Sequence, residues 1–107
     1  AKKIGLNIEN LYEVSSNSSG SCWALNTYCP APGVGPKTPA DNNYEPGFSS
    51  DLMLKDLSLA QNAAGQTNSH TPLGLHAMQI YEELIKEGGQ GKDFSYVLPL
   101  FSKKSRN

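Results

Sequence analysis

Phe48-Ser-Ser-Asp-Leu-Met-Leu-Lys-Asp-Leu-Ser-Leu-Ala60 is a turn running into a helix, and its reading decides the fold. Helical spacing places Met53, Leu57, Ala60 and Ala64 in one apolar stripe and Leu52, Leu59 and Ala63 in a second beside it. Ser49 or Ser50 can cap its start, and Asp51 lies where the positive end of the helix dipole favours a carboxylate. The helix is expected to run to about Ala64, to end at Gly65 and to be central to the core. Asp51, Lys55, Ser58 and Asn62 share the narrow polar strip, with Asp51 and Lys55 spaced as an i to i+4 ion pair. Asp56 projects between the two apolar stripes, where an ionised carboxylate needs a partner. The only arginine that could supply one is Arg106, in the tail.

Upstream, Ala1-Lys-Lys-Ile-Gly-Leu reads as the last turn of a helix closed by Gly5 in a left-handed cap, so further sequence is expected before it. Asn7 caps a helix from Ile8 to about Ser16, with Leu6 and Leu11 as a hydrophobic staple and Ile8, Leu11 and Val14 facing inward. Asn17-Ser-Ser-Gly20-Ser is a turn, and Cys22 to Tyr28 has room for two helical turns before Pro30. Between Cys29 and Gly47 five prolines and three glycines define one long loop, and Tyr44 and Phe48 at its far end favour a docked loop over an idle one.

Downstream, Thr71-Pro72 is a cap followed by proline at the first helical position. Leu73, Ala77, Ile80 and Leu84 form an apolar stripe, widened by Met78, Tyr81 and Ile85, until Gly88-Gly89 closes the helix. Asp93 to Phe101 has helical spacing, with Pro99 predicting a short, kinked helix and a frayed tail from Lys103 to Asn107. No strand-period alternation and no internal repeat occurs, so the fold reads as all-α with one long Pro/Gly-rich loop. The central helix is apolar on too many faces for so few helices, which predicts burial against further sequence or a second subunit.

With 107 residues and a formal charge of -1, the chain is at most one domain and carries no electrostatic footprint for nucleic acid. Its apolar runs are too short to span a bilayer, and the N-terminus has no signal-peptide core. Cys22 and Cys29 fit neither a redox pair nor zinc-ligand spacing and are read as reduced thiols, and Asn17 begins a lone glycosylation sequon. His70 and His76 have no metal-ligand partner at useful spacing, so no metal site is expected. Trp23 and Tyr28, beside the Ser-Ser-Gly-Ser turn, read either as core aromatics or as a pocket wall. No phosphate loop and no nucleophile, base and orienting residue can be assembled. Residue patterns alone thus lead to a helical domain with a Lys55-Asp56 pair of undecided role.

Ser18-Ser-Gly-Ser-Cys-Trp23, Asn26-Thr-Tyr-Cys-Pro30, Pro32-Gly-Val34, Asn43-Tyr44, Gly47-Phe48, Leu52-Met-Leu-Lys-Asp-Leu-Ser-Leu-Ala-Gln61 and Lys92-Asp-Phe-Ser95 follow one another in an order that resembles the C-terminal domain of the 3-hydroxyisobutyrate dehydrogenases, within the β-hydroxyacid dehydrogenases. The resemblance covers nearly the whole chain. It implies the C-terminal helical domain of a two-domain enzyme of the 6-phosphogluconate-dehydrogenase type, serving the nicotinamide and substrate side and dimerisation. The Rossmann domain and the long interdomain helix with the catalytic lysine have no counterpart here. The implied reaction is oxidation of a 3-hydroxy acid to its semialdehyde with NAD, in valine breakdown, by a homo-oligomer of the mitochondrial matrix in a eukaryote and of the cytoplasm otherwise.

By the same resemblance, Lys55 matches the lysine that reaches the cofactor at the nicotinamide end. Asp56 matches its acidic neighbour in the active-site wall, Phe48 an aromatic near the cofactor, and Trp23 and Tyr28 aromatics on the substrate side. No catalytic acid or base is expected in this stretch, which alone should be inactive. A sister enzyme acting on tartronate or succinate semialdehyde is the competing reading, although the long proline-rich loop favours the first; a non-catalytic oligomerisation module is the third.

Overall fold

In the computed structural model, which describes residues 1–105, five α-helices follow one another: α1 (Ile8–Ser16), α2 (Trp23–Asn26), α3 (Ser50–Thr67), α4 (Pro72–Leu84) and α5 (Val97–Lys104). Among the described residues the extended pairing amounts to one antiparallel bridge between Ser49 and Asp93. The fold is all-α and contains no βαβ unit in this part of the chain, as expected.

Local chemistry sets most of the boundaries. The 3₁₀ turn Lys2–Ile4 closes on Gly5 at φ 77°, and Asn7 accepts a 2.9 Å bond from the Asn10 amide to open α1. The inward face of α1 differs from the expected one. Ile8 faces the core as expected, but Val14 is 69% exposed and Leu6 and Leu11 are also open to solvent; Tyr12 faces the core in their place. Tyr12 decides this orientation, because its hydroxyl donates to the Asn26 carbonyl at 2.8 Å and its ring lies against Gly35. A Cβ on Gly35 would stand 2.7 Å from that ring, on a backbone at φ 71°. Gly35→Ala is therefore expected to cost about 2 kcal/mol from overpacking and left-handed strain. An unchanged thermal midpoint would show that Tyr12 withdraws freely.

The second helix makes one turn rather than two. Cys22 caps it through Sγ, but the Asn26 side chain bonds back to the Ser16 carbonyl and Ser21 Oγ, and Tyr28 is drawn away to Asp93. Cys22 is exposed and Cys29 buried, both as free thiols.

The proline-rich loop is a built strap. Thr38 and Asp41 form a capping box on the 3₁₀ turn Pro39–Asn42, and Asp41 also accepts from the Gly33 amide at 2.6 Å. The Gly33 and Thr38 amides hold the Asp41 carboxyl below its usual range. Tyr44 is buried and ties its hydroxyl to the Pro30 carbonyl at 2.8 Å, although its own backbone is left-handed at φ 58°.

Helices α3 and α4 form an antiparallel hairpin: Asp51 at the start of α3 accepts from the Gly91 amide beyond α4, while Gln61 late in α3 accepts from Thr71 before α4. Asp51 is thus committed to Gly91 at 2.8 Å, and the expected Asp51 to Lys55 ion pair does not form. Helix α3 passes through Gly65 and ends at Thr67, because Asn68 takes the left-handed cap at φ 52° and its amide closes on the Ala64 and Gly65 carbonyls. On α4, Leu84 is buried but Leu73 is 85% exposed, so only the C-terminal part of the expected stripe is covered. Gly88, at φ 94°, turns the chain after it as expected.

Pro99 does not kink α5, since it lies in the first turn, where a missing N–H leaves few helical bonds unmade. Helix α5 continues through Lys103 and Lys104, which pair with Glu87 and Glu83, so the expected fraying does not begin at Lys103. Arg106 and Asn107 lie outside the described residues.

The core that results is small: Cys29, Ala31 and Val34 of the strap pack against Ile8, Tyr12 and Leu98, and Ala40, Tyr44, Leu84 and Leu100 are buried as well. The radius of gyration is 15.1 Å, against about 13 Å for a compact domain of this length. Leu52 and Leu59 on α3 are 46% and 57% exposed, and Ser50 is the one residue of that helix that is buried. Helix α3 is therefore not the centre of a closed core. It presents an open apolar face, as the excess of apolar positions requires.

Candidate functional site

The best-connected point of the molecule is the carboxylate of Asp93, which is fully buried. Oδ1 accepts from the Tyr28 hydroxyl at 2.8 Å and from the Gly47 and Phe48 amides at 3.0 Å each. Oδ2 accepts from the Ser95 amide at 3.1 Å and the Ser95 hydroxyl at 2.5 Å. All these donors are neutral. The backbone around the carboxylate is equally committed: the Asp93 amide donates to the Tyr44 carbonyl, Phe94 to Phe48, and Ser50 to Lys92, each at 2.8 Å. The left-handed backbone of Tyr44 aims its carbonyl into this junction.

Burial by itself would push the Asp93 carboxyl up. The Phe48 amide, both Ser95 donors and the Tyr28 hydroxyl outweigh it and hold the group below the ordinary carboxylate range, as a permanent anion near neutrality. In turn, burial and then the bond to Asp93 push the Tyr28 phenol up to about 12. Gly47 is required where it stands, because a Cβ there would meet the Tyr28 oxygen at 2.9 Å.

This junction organises an aromatic wall. Trp23 stacks on Tyr28 with ring centroids 5.1 Å apart, Tyr28 stacks on Phe94 at 5.0 Å, and Phe48 meets Phe94 edge-on at 5.9 Å. Trp23 is 61% exposed and forms the open end. Phe94 is fixed through both backbone polar groups, its amide on Phe48 and its carbonyl on the Tyr81 hydroxyl at 2.8 Å. Burial pushes the Tyr81 phenol up to about 12. Trp23, Tyr28 and Phe48, three of the five residues singled out from sequence, thus belong to one continuous group.

Lys55 and Asp56 are not joined to that group by any side-chain hydrogen bond or ion pair among the described residues. Both are exposed, on the same open flank of α3 as Leu52 and Leu59. Lys55 lies about 9 Å along the helix axis from the Ser49 cap, next to Phe48. The expectation that Asp56 is a carboxylate trapped among apolar neighbours is corrected: its arc is uncovered, so water solvates it. The carboxylate that does face burial is Asp93, which sequence periodicity did not mark, and Phe94 was missed with it. The available signal was Asp93 as a cap for the turn Phe94–Tyr96, with Ser95 placed to close it.

A groove of about 690 Å³ lies elsewhere, between α1, the strap and α5, lined by Leu6, Ile8, Leu11, Tyr44 and Leu98 among others. None of the five expected site residues lines it. Among the described residues no cluster of His, Cys, Asp or Glu could hold a metal ion, and no helix is long and apolar enough to cross a membrane.

An all-helical body with an aromatic wall at one open face is the class of domain defined so far. Residues 1–101 match the family described as NAD-binding of NADP-dependent 3-hydroxyisobutyrate dehydrogenase, and the chain belongs to that family. It is 43% identical to the mitochondrial 3-hydroxyisobutyrate dehydrogenase of Drosophila melanogaster over 97% of this chain and 32% of that protein. It is 46% identical to the NAD-dependent L-serine dehydrogenase of Pseudomonas aeruginosa over 91% of this chain and 33% of that protein. The solved Mycobacterium tuberculosis 3-hydroxyisobutyrate dehydrogenase with L-serine superimposes with a TM-score of 0.88 at 42% identity, over 94% of this chain and 34% of that one. The chain therefore spans about a third of the length of the curated relatives it matches.

Proposed function

We propose that this chain is the substrate- and nicotinamide-side domain of a dehydrogenase that oxidises 3-hydroxyisobutyrate to methylmalonate semialdehyde with NAD, in valine catabolism. The observation that carries the reading is the convergence of Trp23, Tyr28 and Phe48, distant in sequence, into one stacked wall beside the helix that bears Lys55. When bound, the dinucleotide supplies a ring that accepts hydride. This chain fits such a group, because a wall of flat apolar faces suits a planar ring and excludes water from it. Lys55 supplies a solvent-exposed ammonium that orients an anionic or polar group of the cofactor or substrate, and Asp56 beside it lines the same wall. Trp23 and Tyr28 face the substrate, and Phe48 the cofactor. The acid or base of the reaction is not assigned to this chain.

The uncovered apolar flank of α3 supports a homo-oligomeric enzyme, in which that surface packs on the rest of the subunit and on a partner. The Drosophila relative's mitochondrial location supports the matrix for a eukaryotic source.

L-serine is the second reading of the substrate, supported by the Pseudomonas relative and by the ligand named with the Mycobacterium structure. One panel decides: the complete enzyme is assayed with 3-hydroxyisobutyrate, L-serine and glycerate, the hydroxy acid that yields tartronate semialdehyde, against NAD and NADP. Highest kcat/KM with 3-hydroxyisobutyrate and NAD is the expected result. A preference for L-serine moves the assignment to the second reading, and no turnover of any hydroxy acid rejects both.

A further inference from the structure

The Asp93 carboxylate receives more hydrogen bonds than any other side chain described above, yet it belongs to neither the exposed face of the wall nor the lysine helix. Its donors come from three separated parts of the chain: Tyr28 after α2, Gly47 and Phe48 at the end of the strap, and Ser95 beside it. A buried anion with no ion-pair partner among the described residues is expensive to keep unless a geometry depends on it. Here the dependent geometry is the wall itself, since two of its four rings are carried by residues that donate directly to the carboxylate, and a third, Phe94, is its chain neighbour.

We propose that Asp93 is the positioning residue of the substrate and cofactor wall, holding the Tyr28 ring and the Phe48 turn in register so that the wall is preformed before a ligand arrives. This rests on the function proposed above. The Tyr28 phenol has one proton, and the 2.8 Å bond commits it to Asp93 Oδ1. Preorganisation of this kind acts on binding more than on the chemical step.

Asp93→Asn is the informative change. Its side-chain oxygen can replace Oδ1 and keep an acceptor for Tyr28, Gly47 and Phe48, but its amide then opposes the Ser95 N–H and the negative charge is gone. Two readouts are taken. In the full chain, which has a single tryptophan, near-ultraviolet circular dichroism well below the unfolding midpoint reports the Trp23 and Tyr28 stack. The variant is expected to lose most of that signal while its far-ultraviolet helical signal stays. In the complete enzyme KM for the hydroxy acid is expected to rise about tenfold with kcat within about twofold, the pattern of lost uniform binding. A purely structural role would instead lower the folded fraction and apparent kcat at constant KM.

Should Asp93→Asn fail to fold, Tyr28→Phe cuts the same bond from the other side and leaves the carboxylate with its backbone donors. It is expected to raise KM similarly, and in its background Asp93→Asn, where it folds, should add little. An unaltered aromatic signal, or a KM unchanged in Tyr28→Phe, overturns the proposal. If the unsubstituted enzyme oxidises no hydroxy acid, the functional reading falls, and the aromatic signal of this chain still decides the role of Asp93.

Discussion

Replacing Lys55 by alanine is expected to lower kcat/KM of the complete enzyme about a hundredfold or more, the usual effect of removing one group aimed at a reacting centre. The fold should not notice. Lys55 is exposed and unpaired among the described residues, its side chain takes part in no cap, and alanine favours the helix slightly more than lysine does. Stability is therefore expected to change by less than about 0.5 kcal/mol. Steady-state kinetics and thermal unfolding of the same preparation separate the two effects. Lys55→Arg keeps the charge on a larger, planar head and should recover part of the loss. Wild-type kinetics in Lys55→Ala would remove Lys55 from the site.

The largest effect on stability is expected from Asp93→Ala. It leaves the Gly47, Phe48 and Ser95 amides and two hydroxyls without their acceptor in a place closed to solvent. The cost is about 4 kcal/mol, the range for breaking a buried charged network from one side. For a domain of this size that lowers the thermal midpoint by roughly 20 °C. The same group fixes the acid limb of stability. Its carboxyl titrates below the ordinary range when folded, so its contribution is complete above the unfolded value and declines as pH falls towards the folded one. Asp41 adds to that limb in the same sense, and Asp93→Asn should flatten only part of it.

At the other end Tyr28 and Tyr81, both raised from 10.0 to about 12, contribute stability that is complete below 10 and is lost as pH rises towards 12. Denaturant unfolding across pH checks both limbs. An acid limb identical in wild type and Asp93→Asn would show that Asp93 is not ionised in the folded chain.

What could be read from sequence was whatever local chemistry determines. Asn7, Ser49 and the Thr71-Pro72 pair each mark a helix start within a few residues of chain, and Gly5 and Gly88 mark turns through their own backbone. The end of α3 was misjudged because two residues competed for the cap, Gly65 and Asn68, and a left-handed asparagine beyond the glycine let the helix continue. The inward face of α1 is legible only at Ile8, because periodicity counts apolar residues, whereas Tyr12 is drawn in by a carbonyl on another segment and leaves Leu11 and Val14 exposed.

The two aspartates make the same point for the site. Asp56 looked anomalous because its helical neighbours are apolar, but a helical wheel cannot say whether an arc is covered. Asp93 looked ordinary because the donors of Oδ1 lie 45 to 65 residues away along the chain. Residue patterns alone single out Asp56, the Lys55-Asp56 pair, Trp23 and Tyr28, while the assignment of Phe48 and the role of each of the five come from the family resemblance. The stacking that unites Trp23, Tyr28 and Phe48 with Phe94 is visible only in three dimensions.

That long reach also bears on how the molecule comes together. Helices α1, α3 and α4 can begin to form from neighbours in sequence, but the wall has no precursor in any one of them. It requires the end of the strap to meet the segment around Asp93, where Tyr28 also ends. The amides of Gly47, Phe48, Ser50, Asp93 and Phe94 all end on that one crossing, so they are released to solvent as a unit. The wall thus depends on one non-local closure: a chain that has made its helices but not this closure has no site, not a weakened one.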